Sequence, residues 1–180
     1  YIINGGKTGA HIANILLANK CEVVVIENRE HVYEKLKRDI PEKNILFGNG
    51  TDPNVLEQAG ISKTDVVAAV TGADETNLVA STIARFEFDV PRVIARVNNP
   101  KNAWLFNAGM GVDVSINHAD LMAHLVVEEM EQTAMLTLMK ISRGTYSIVQ
   151  YKVSQKASAV GKPIRDITMP QNAVMIALYQ

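Results

Sequence analysis

The segment that most limits what this chain can become is residues 1–10, where the apolar run Tyr1-Ile2-Ile3 feeds a glycine-bearing turn. An apolar-periodic helix with Ile12, Ile15 and Leu16 follows at once. A chain that turns this tightly between strand and helix leaves the first helical N–H groups bare. Together with the positive end of the helix dipole they suit an anion, above all a phosphate. Cys21-Glu22-Val23-Val24-Val25-Ile26-Glu27 reads as a second buried strand ending in a carboxylate. Glu27 falls about 20 residues beyond the turn, where an acid meets a ribose in a dinucleotide-binding strand–helix–strand unit. Set on G-x-G-x-x-G, the glycine positions are Asn4, Gly6 and Gly9, so Asn replaces the first glycine. Asn is the non-glycine residue that most readily accepts a positive φ. Gly6 gives a pyrophosphate room to approach, and Gly9 lets helix and strand touch.

The same alternation continues downstream. A helix is expected over 30–39 (Val32, Tyr33, Leu36), then a strand over 44–47 and the turn Gly48-Asn49-Gly50-Thr51-Asp52-Pro53. Asp52 suits the cap and Pro53 the first position of a helix reaching about Ala59. Residues 65–70 form an unalternating apolar run, as in a parallel strand buried on both faces. After Thr71-Gly72-Ala73, Asp74 and Glu75 occupy the first turn of a helix running to about Phe88, where the dipole favours acids. Strands over 91–97 and 112–116 flank a short helix around 103–107. The fold class is therefore α/β, a Rossmann-like doubly wound parallel sheet of six strands with helices on both faces. The polar turns after the first four strands all fall at carboxyl ends, where open α/β sheets bind ligands.

Beyond this sheet the pattern changes. A long helix is expected over 118–139, with Leu121, Leu125 and Met122, Val126, Met130 marking two adjacent rows that Val127, Met135, Leu136 and Leu138 widen. Such breadth fits either one face on its own domain and another on a second copy, or a helix buried within one domain. Residues 139–141 and 147–153 read as a hairpin turning at Arg143-Gly144. Val160-Gly161-Lys162-Pro163 then leads into a single helical turn, and 173–179 is a last strand. These residues are the start of a small α+β domain.

Several functions are disfavoured. The net charge is −1 and Lys and Arg are nowhere concentrated, which argues against a nucleic-acid partner. No apolar run approaches the ~20 residues needed to span a bilayer, so direct membrane insertion is not expected. Cys21, within the second strand, is expected to be a small buried hydrophobe in a reducing compartment. His11, His31, His118 and His124 are scattered, and the last pair lacks the i, i+4 spacing of helical metal ligands. No Ser or Cys stands in a nucleophile motif, so no catalytic residue, metal site or enzymatic activity is expected. The 180 residues begin within a strand without Met and end in a strand-like run, as expected of a fragment of something longer.

Taken together, Asn4-Gly5-Gly6-Lys7-Thr8-Gly9, Val25-Ile26-Glu27, Gly48-Asn49-Gly50-Thr51-Asp52-Pro53, the 69–77 run Ala-Val-Thr-Gly-Ala-Asp-Glu-Thr-Asn and the 93–100 run Val-Ile-Ala-Arg-Val-Asn-Asn-Pro give the chain a family likeness. It resembles the RCK (KTN) domains, regulatory subunits of bacterial and archaeal Trk/Ktr potassium-uptake systems. The likeness covers most of 1–135, and Val160-Gly161-Lys162-Pro163 extends it to the family's C-terminal ligand-binding domain. It departs at Asn4, where glycine is usual, and at Asn49, where Asp is common. The resemblance implies a nucleotide-binding N-terminal domain over 1–135, including a dimerising helix, and a truncated C-terminal domain over 140–180. It further implies a cytoplasmic, non-catalytic sensor of NAD(H) or ATP/ADP. Such a protein forms homodimers that assemble into a ring and gates a membrane K⁺ channel or transporter, at the inner face of the membrane through that partner. An NAD-dependent oxidoreductase fragment is the second reading and a nucleotide-free scaffold the third.

The candidate cofactor-binding residues are Gly6, Lys7, Thr8, Gly9, Glu27, Asn28, Arg29, Asn49, Gly50, Thr51, Thr71, Gly72, Ala73, Asn77 and Arg96. Backbone amides of Gly6 to Gly9 are expected to hold phosphates. Lys7 is either a point charge on them or a solvated loop lysine. Glu27 is expected to accept the ribose hydroxyls and to repel a 2′-phosphate, an expectation that Arg29 softens. Asn49 and Thr51 stand either at the adenine or as turn and capping residues. Thr71 and Gly72 line the next turn. Arg96 is a nucleotide or interface contact, or the partner of a helix acid.

Overall fold

The computed structural model describes residues 1–130, 135–141, 146–167 and 169–178. They fall into two compact units, Tyr1–His124 and Leu125–Gln180. The first unit contains β1 (Ile2–Ile3), α1 (Lys7–Ala18), β2 (Val25–Glu27), α2 (Glu30–Leu36), β3 (Ile45–Phe47) and α3 (Pro53–Ala59). These are followed by β4 (Val66–Ala69), α4 (Asp74–Phe86), β5 (Arg92–Val97) and β6 (Val114–Asn117). The six strands pair in parallel in the order β3-β2-β1-β4-β5-β6. The strand order therefore reverses between β1 and β4, which opens a crevice at the carboxyl edge.

Burial explains why helices cover both faces. Ile2 and Val25 point to one side, with Ala13 and Leu36 of α1 and α2. Ile3 and Ile26, one residue on, point to the other with Leu56, Ala80 and Ala84 of α3 and α4. The central strands β1, β2 and β4 have apolar residues for both faces, so no polar alternation survives in their sequence, whereas the edge strand β6 (Val-Ser-Ile-Asn) alternates. Local signals set the helix ends. Asp52 Oδ1 accepts from the Asn54 amide at 2.9 Å, Pro53 opens α3, and Gly60 closes it with φ 82°.

Several expectations are corrected. The second strand begins at Val25, not Cys21, because α1 is closed by a reversal in which Lys20 takes φ 62° and the Cys21 amide donates to the Leu16 carbonyl. Cys21 is consequently exposed. The expected short helix around 103–107 is a 3₁₀ segment over Pro100–Leu105 followed by another over Ala108–Met110. The long helix, α5, spans His118–Met130 and does not reach 139. Residues Met135–Ile141 form β7, paired antiparallel with β8 (Tyr146–Tyr151) in the register Met135↔Tyr151 to Ile141↔Tyr146. An apolar run such as Met135-Leu136-Thr137-Leu138-Met139 fits either period, and the neighbouring strand decides. The expected turn at Arg143-Gly144 lies outside the described residues. The single helical turn after Pro163 is a 3₁₀ segment, Ile164–Asp166. No strand forms over 173–178, where Val174, Ile176 and Leu178 are exposed and no other strand runs alongside among the described residues; residue 179 of the expected strand lies outside them.

Candidate functional site

At the carboxyl edge of the sheet, the turns after β1, β2, β3 and β4 meet around a cleft of ≈ 250 Å³. Ile3 and Asn4 contribute from the first turn, Ile26 to Arg29 from the second, Gly48 to Gly50 from the third, and Thr71 to Ala73 from the fourth. Thr76, in the first turn of α4, completes the wall.

The first turn is held by Asn4, whose φ of 98° is the left-handed conformation expected at a glycine position. Its side chain replaces what the glycine lacks. Oδ1 accepts from the Gly6 amide at 3.1 Å, and Nδ2 donates to the Val70 carbonyl at 3.1 Å, fastening β1 to β4. A Cβ on Gly9 would run into the Asn4 carbonyl oxygen, so the close approach of α1 to the turn requires glycine there. No side chain caps α1, and Lys7 and Thr8 are exposed at its head. Its leading amides therefore remain available to an anion.

Glu27 ends β2 and is 2% exposed. Oε1 accepts from the Arg29 amide at 2.8 Å and Arg29 Nε at 2.9 Å. Oε2 accepts from the Gly5 amide at 2.9 Å and Arg29 Nη2 at 2.7 Å. Arg29 Nη2 also reaches Asn4 Oδ1. Burial by itself raises the Glu27 carboxyl, but the Arg29 guanidinium and the two backbone amides outweigh it and hold the group below the usual carboxylate range. The floor of the cleft is thus an ionised carboxylate in a bidentate ion pair.

In the third turn, Asn49 Oδ1 accepts from the Thr51 amide at 3.1 Å and its hydroxyl at 2.9 Å. Asn49 faces the cleft while organising its own turn, and Thr51 stands behind it. The fourth turn is braced from within. Asn77, fully buried, accepts from the Thr71 amide at 2.8 Å and donates to the Thr71 and Arg96 carbonyls at 3.1 and 2.8 Å. Asp74 accepts from the amides of Asn98 and Asn99 at 2.6 and 3.0 Å and from the Asn102 side chain at 2.8 Å. These bonds tie α4 to the segment after β5.

Of the candidates, Glu27, Asn28, Arg29, Asn49, Gly50, Thr71, Gly72 and Ala73 line one cleft. Gly6, Lys7, Thr8 and Gly9 stand at the head of α1, outside its lining. Asn77 and Arg96 do not line it either. Asn77 braces Thr71, while Arg96 Nη2 lies 3.4 Å from His118 Nε2 and its buried Nε has no partner among the described residues. Ile3, Asn4, Ile26, Gly48 and Thr76 line the cleft without having been candidates. Their signal was positional: Ile3 and Ile26 lie at or next to a strand's carboxyl end, Asn4 and Gly48 open turns, and Thr76 is in the opening turn of α4.

A family model described as the TrkA-N domain matches residues 1–118. The Trk system potassium uptake protein TrkA of Mycobacterium tuberculosis is 33% identical over 180 residues, covering 99% of this chain and 80% of that protein. A TrkA homolog from Methanothermobacter thermautotrophicus is 30% identical over 178 residues, covering 99% and 81%. Among solved structures, the TrkA-N domain of the Escherichia coli inner membrane protein ybaL superposes with a TM-score of 0.63 at 18% identity, over 72% of this chain and 94% of that one. The GsuK channel bound to NAD gives 0.61 at 24%, over 72% and 22%.

Proposed function

The chain belongs to the TrkA-N domain family of Trk potassium-uptake proteins, and from that membership we propose that its cleft takes the adenosine part of NAD(H) or ATP/ADP and so regulates a membrane K⁺ channel or transporter. The observation that carries this reading is the meeting of the turns after β1 to β4 around one cleft, with the buried carboxylate of Glu27 at its floor. A ribose diol matches that carboxylate, and phosphates match the uncapped head of α1. Neighbours of the same fold were solved with NAD and with ADP, which supports this ligand class. Gly6, Lys7, Thr8 and Gly9 then serve the phosphates, Glu27 the ribose with Asn28 and Arg29 beside it, and Asn49 to Thr51 the adenine. Thr71 to Ala73 serve the second half of the ligand, with Asn77 and Arg96 behind them.

The site signals and performs no chemistry. Residues 1–135 are the nucleotide-binding domain with its dimerising helix, and 140–180 begin a second ligand-binding domain. Homodimers assemble into a ring on the cytoplasmic side of the membrane protein, and the nucleotide sets the geometry of that ring. Contact with the membrane runs through the partner, and no described helix is long and apolar enough to cross a membrane.

Calorimetric titration with ATP, ADP, NADH and NADPH tests the reading. Adenine nucleotides are expected to bind, and Glu27→Ala to lose at least ~10-fold in affinity, or ~1.4 kcal/mol. Absence of binding by all four overturns it, and turnover of a hydroxy or keto substrate with NADH would put an oxidoreductase in its place.

A further inference from the structure

The cleft described above is not open to a ribose as it stands. A carboxylate has about four lone-pair sites, and all of those on Glu27 face protein N–H groups: the Arg29 amide and Nε on one oxygen, the Gly5 amide and Arg29 Nη2 on the other. The Glu27 side chain is 1% exposed, so no solvent-facing lone pair is left over. The four donors differ in kind. Those of Gly5 and the Arg29 backbone are fixed by the two turns. Those of the Arg29 guanidinium sit on a side chain that is 48% exposed and free to rotate outward.

We propose that Arg29 is a built-in competitor for the ribose, so that adenosine ligands bind by exchange: the guanidinium leaves Glu27 and the 2′,3′-diol takes its place. The proposal rests on the nucleotide reading above and adds to it the residue that sets affinity. The match is one of number and geometry. Withdrawal of Arg29 vacates one acceptor position on each Glu27 oxygen, and a ribose diol offers two hydroxyl donors side by side. The Gly5 and Arg29 amides stay on the carboxylate in both states, so the floor keeps its shape. Asn4 Oδ1 also loses the guanidinium and keeps the Gly6 amide. The partly exposed ion pair is therefore subtracted from every nucleotide's affinity.

Arg29→Ala and Arg29→Gln are compared with the unaltered protein by calorimetry against ADP and 2′-deoxy-ADP, with thermal melting to verify folding. Both variants are expected to bind ADP roughly 2- to 5-fold more tightly, the range for losing a partly exposed ion pair. The gain should shrink for 2′-deoxy-ADP, which offers one hydroxyl to the vacated positions. In the unaltered protein, the Arg29 Nε–H resonance should shift when ADP is added. Equal or weaker ADP binding by both variants overturns the proposal and makes Arg29 an ordinary ligand contact or a bystander. Failure of the unaltered protein and both variants to bind any adenine nucleotide overturns the nucleotide reading itself, a result distinguishable from the first.

Discussion

Asp74 is a first-turn acid of a kind that the helix dipole alone would account for, yet it does more. Its carboxylate accepts two backbone amides and the side chains of Asn98 and Asn102. Replacing it with Ala leaves those donors facing a buried gap, and a loss of about 2–4 kcal/mol is expected in urea unfolding. Burial raises the Asp74 carboxyl, and the Asn98, Asn99 and Asn102 donors more than reverse this, so it titrates below its ordinary value, as Glu27 does. A folded value below the unfolded one means stability that is present above about pH 4 and lost as pH falls through the folded values. Urea midpoints should therefore decline on acidification below about pH 4.5, with a shallower slope in Asp74→Asn. Gly72 offers a complementary test of the cleft. A Cβ there meets nothing within 4 Å, so Gly72→Leu should melt like the parent while losing at least ~10-fold in ADP affinity in the same titration.

At the scale of elements, the legible parts were those whose determinants are local. Asp52, Pro53 and Gly60 mark α3 by cap, first-turn proline and left-handed close, and its observed span matches the expected one. The first, third and fourth turns that line the cleft were legible for the same reason, each being a cluster drawn from Gly, Asn and Thr after an apolar run. The end of α5 was not, because Met135–Ile141 carries apolar residues at both helical and strand spacing and only its pairing with Tyr146–Tyr151 separates them. Nor was the clasp of Arg29 on Glu27: spacing placed both residues, but the direction of the guanidinium depends on how the second turn folds back over the first. On α5, Leu121, Met122, Leu125 and Val126 are each about half exposed. Apolar side chains left this open on one helix support the proposed dimer surface. If α5 is the seam of the proposed homodimer, Leu125→Asp yields monomers in size-exclusion chromatography at micromolar concentration. An unchanged elution volume would move the seam elsewhere.

At the scale of the whole molecule, the sheet and its cleft lie in the unit Tyr1–His124, whose strands and helices supply three clusters of buried apolar residues. A fragment covering 1–124 is accordingly expected to unfold in a single cooperative transition and to bind ADP within about threefold of the full chain. Binding lost with the remaining residues would show that they complete the site.

Of the six strands of this sheet, β1 comes earliest in the chain, yet it lies at the centre beside β4. β1 pairs on one side with β2 through Ile2↔Val25 and on the other with β4 through Ile2↔Ala68. Its second neighbour is not yet synthesised when its first is already waiting, so half of its edge stays bare during translation until residues near 68 emerge. Because Asn4 spans that seam to Val70, the cleft comes into being only when the junction closes. A newly made chain in which that cleft has formed has therefore already joined segments 66 residues apart.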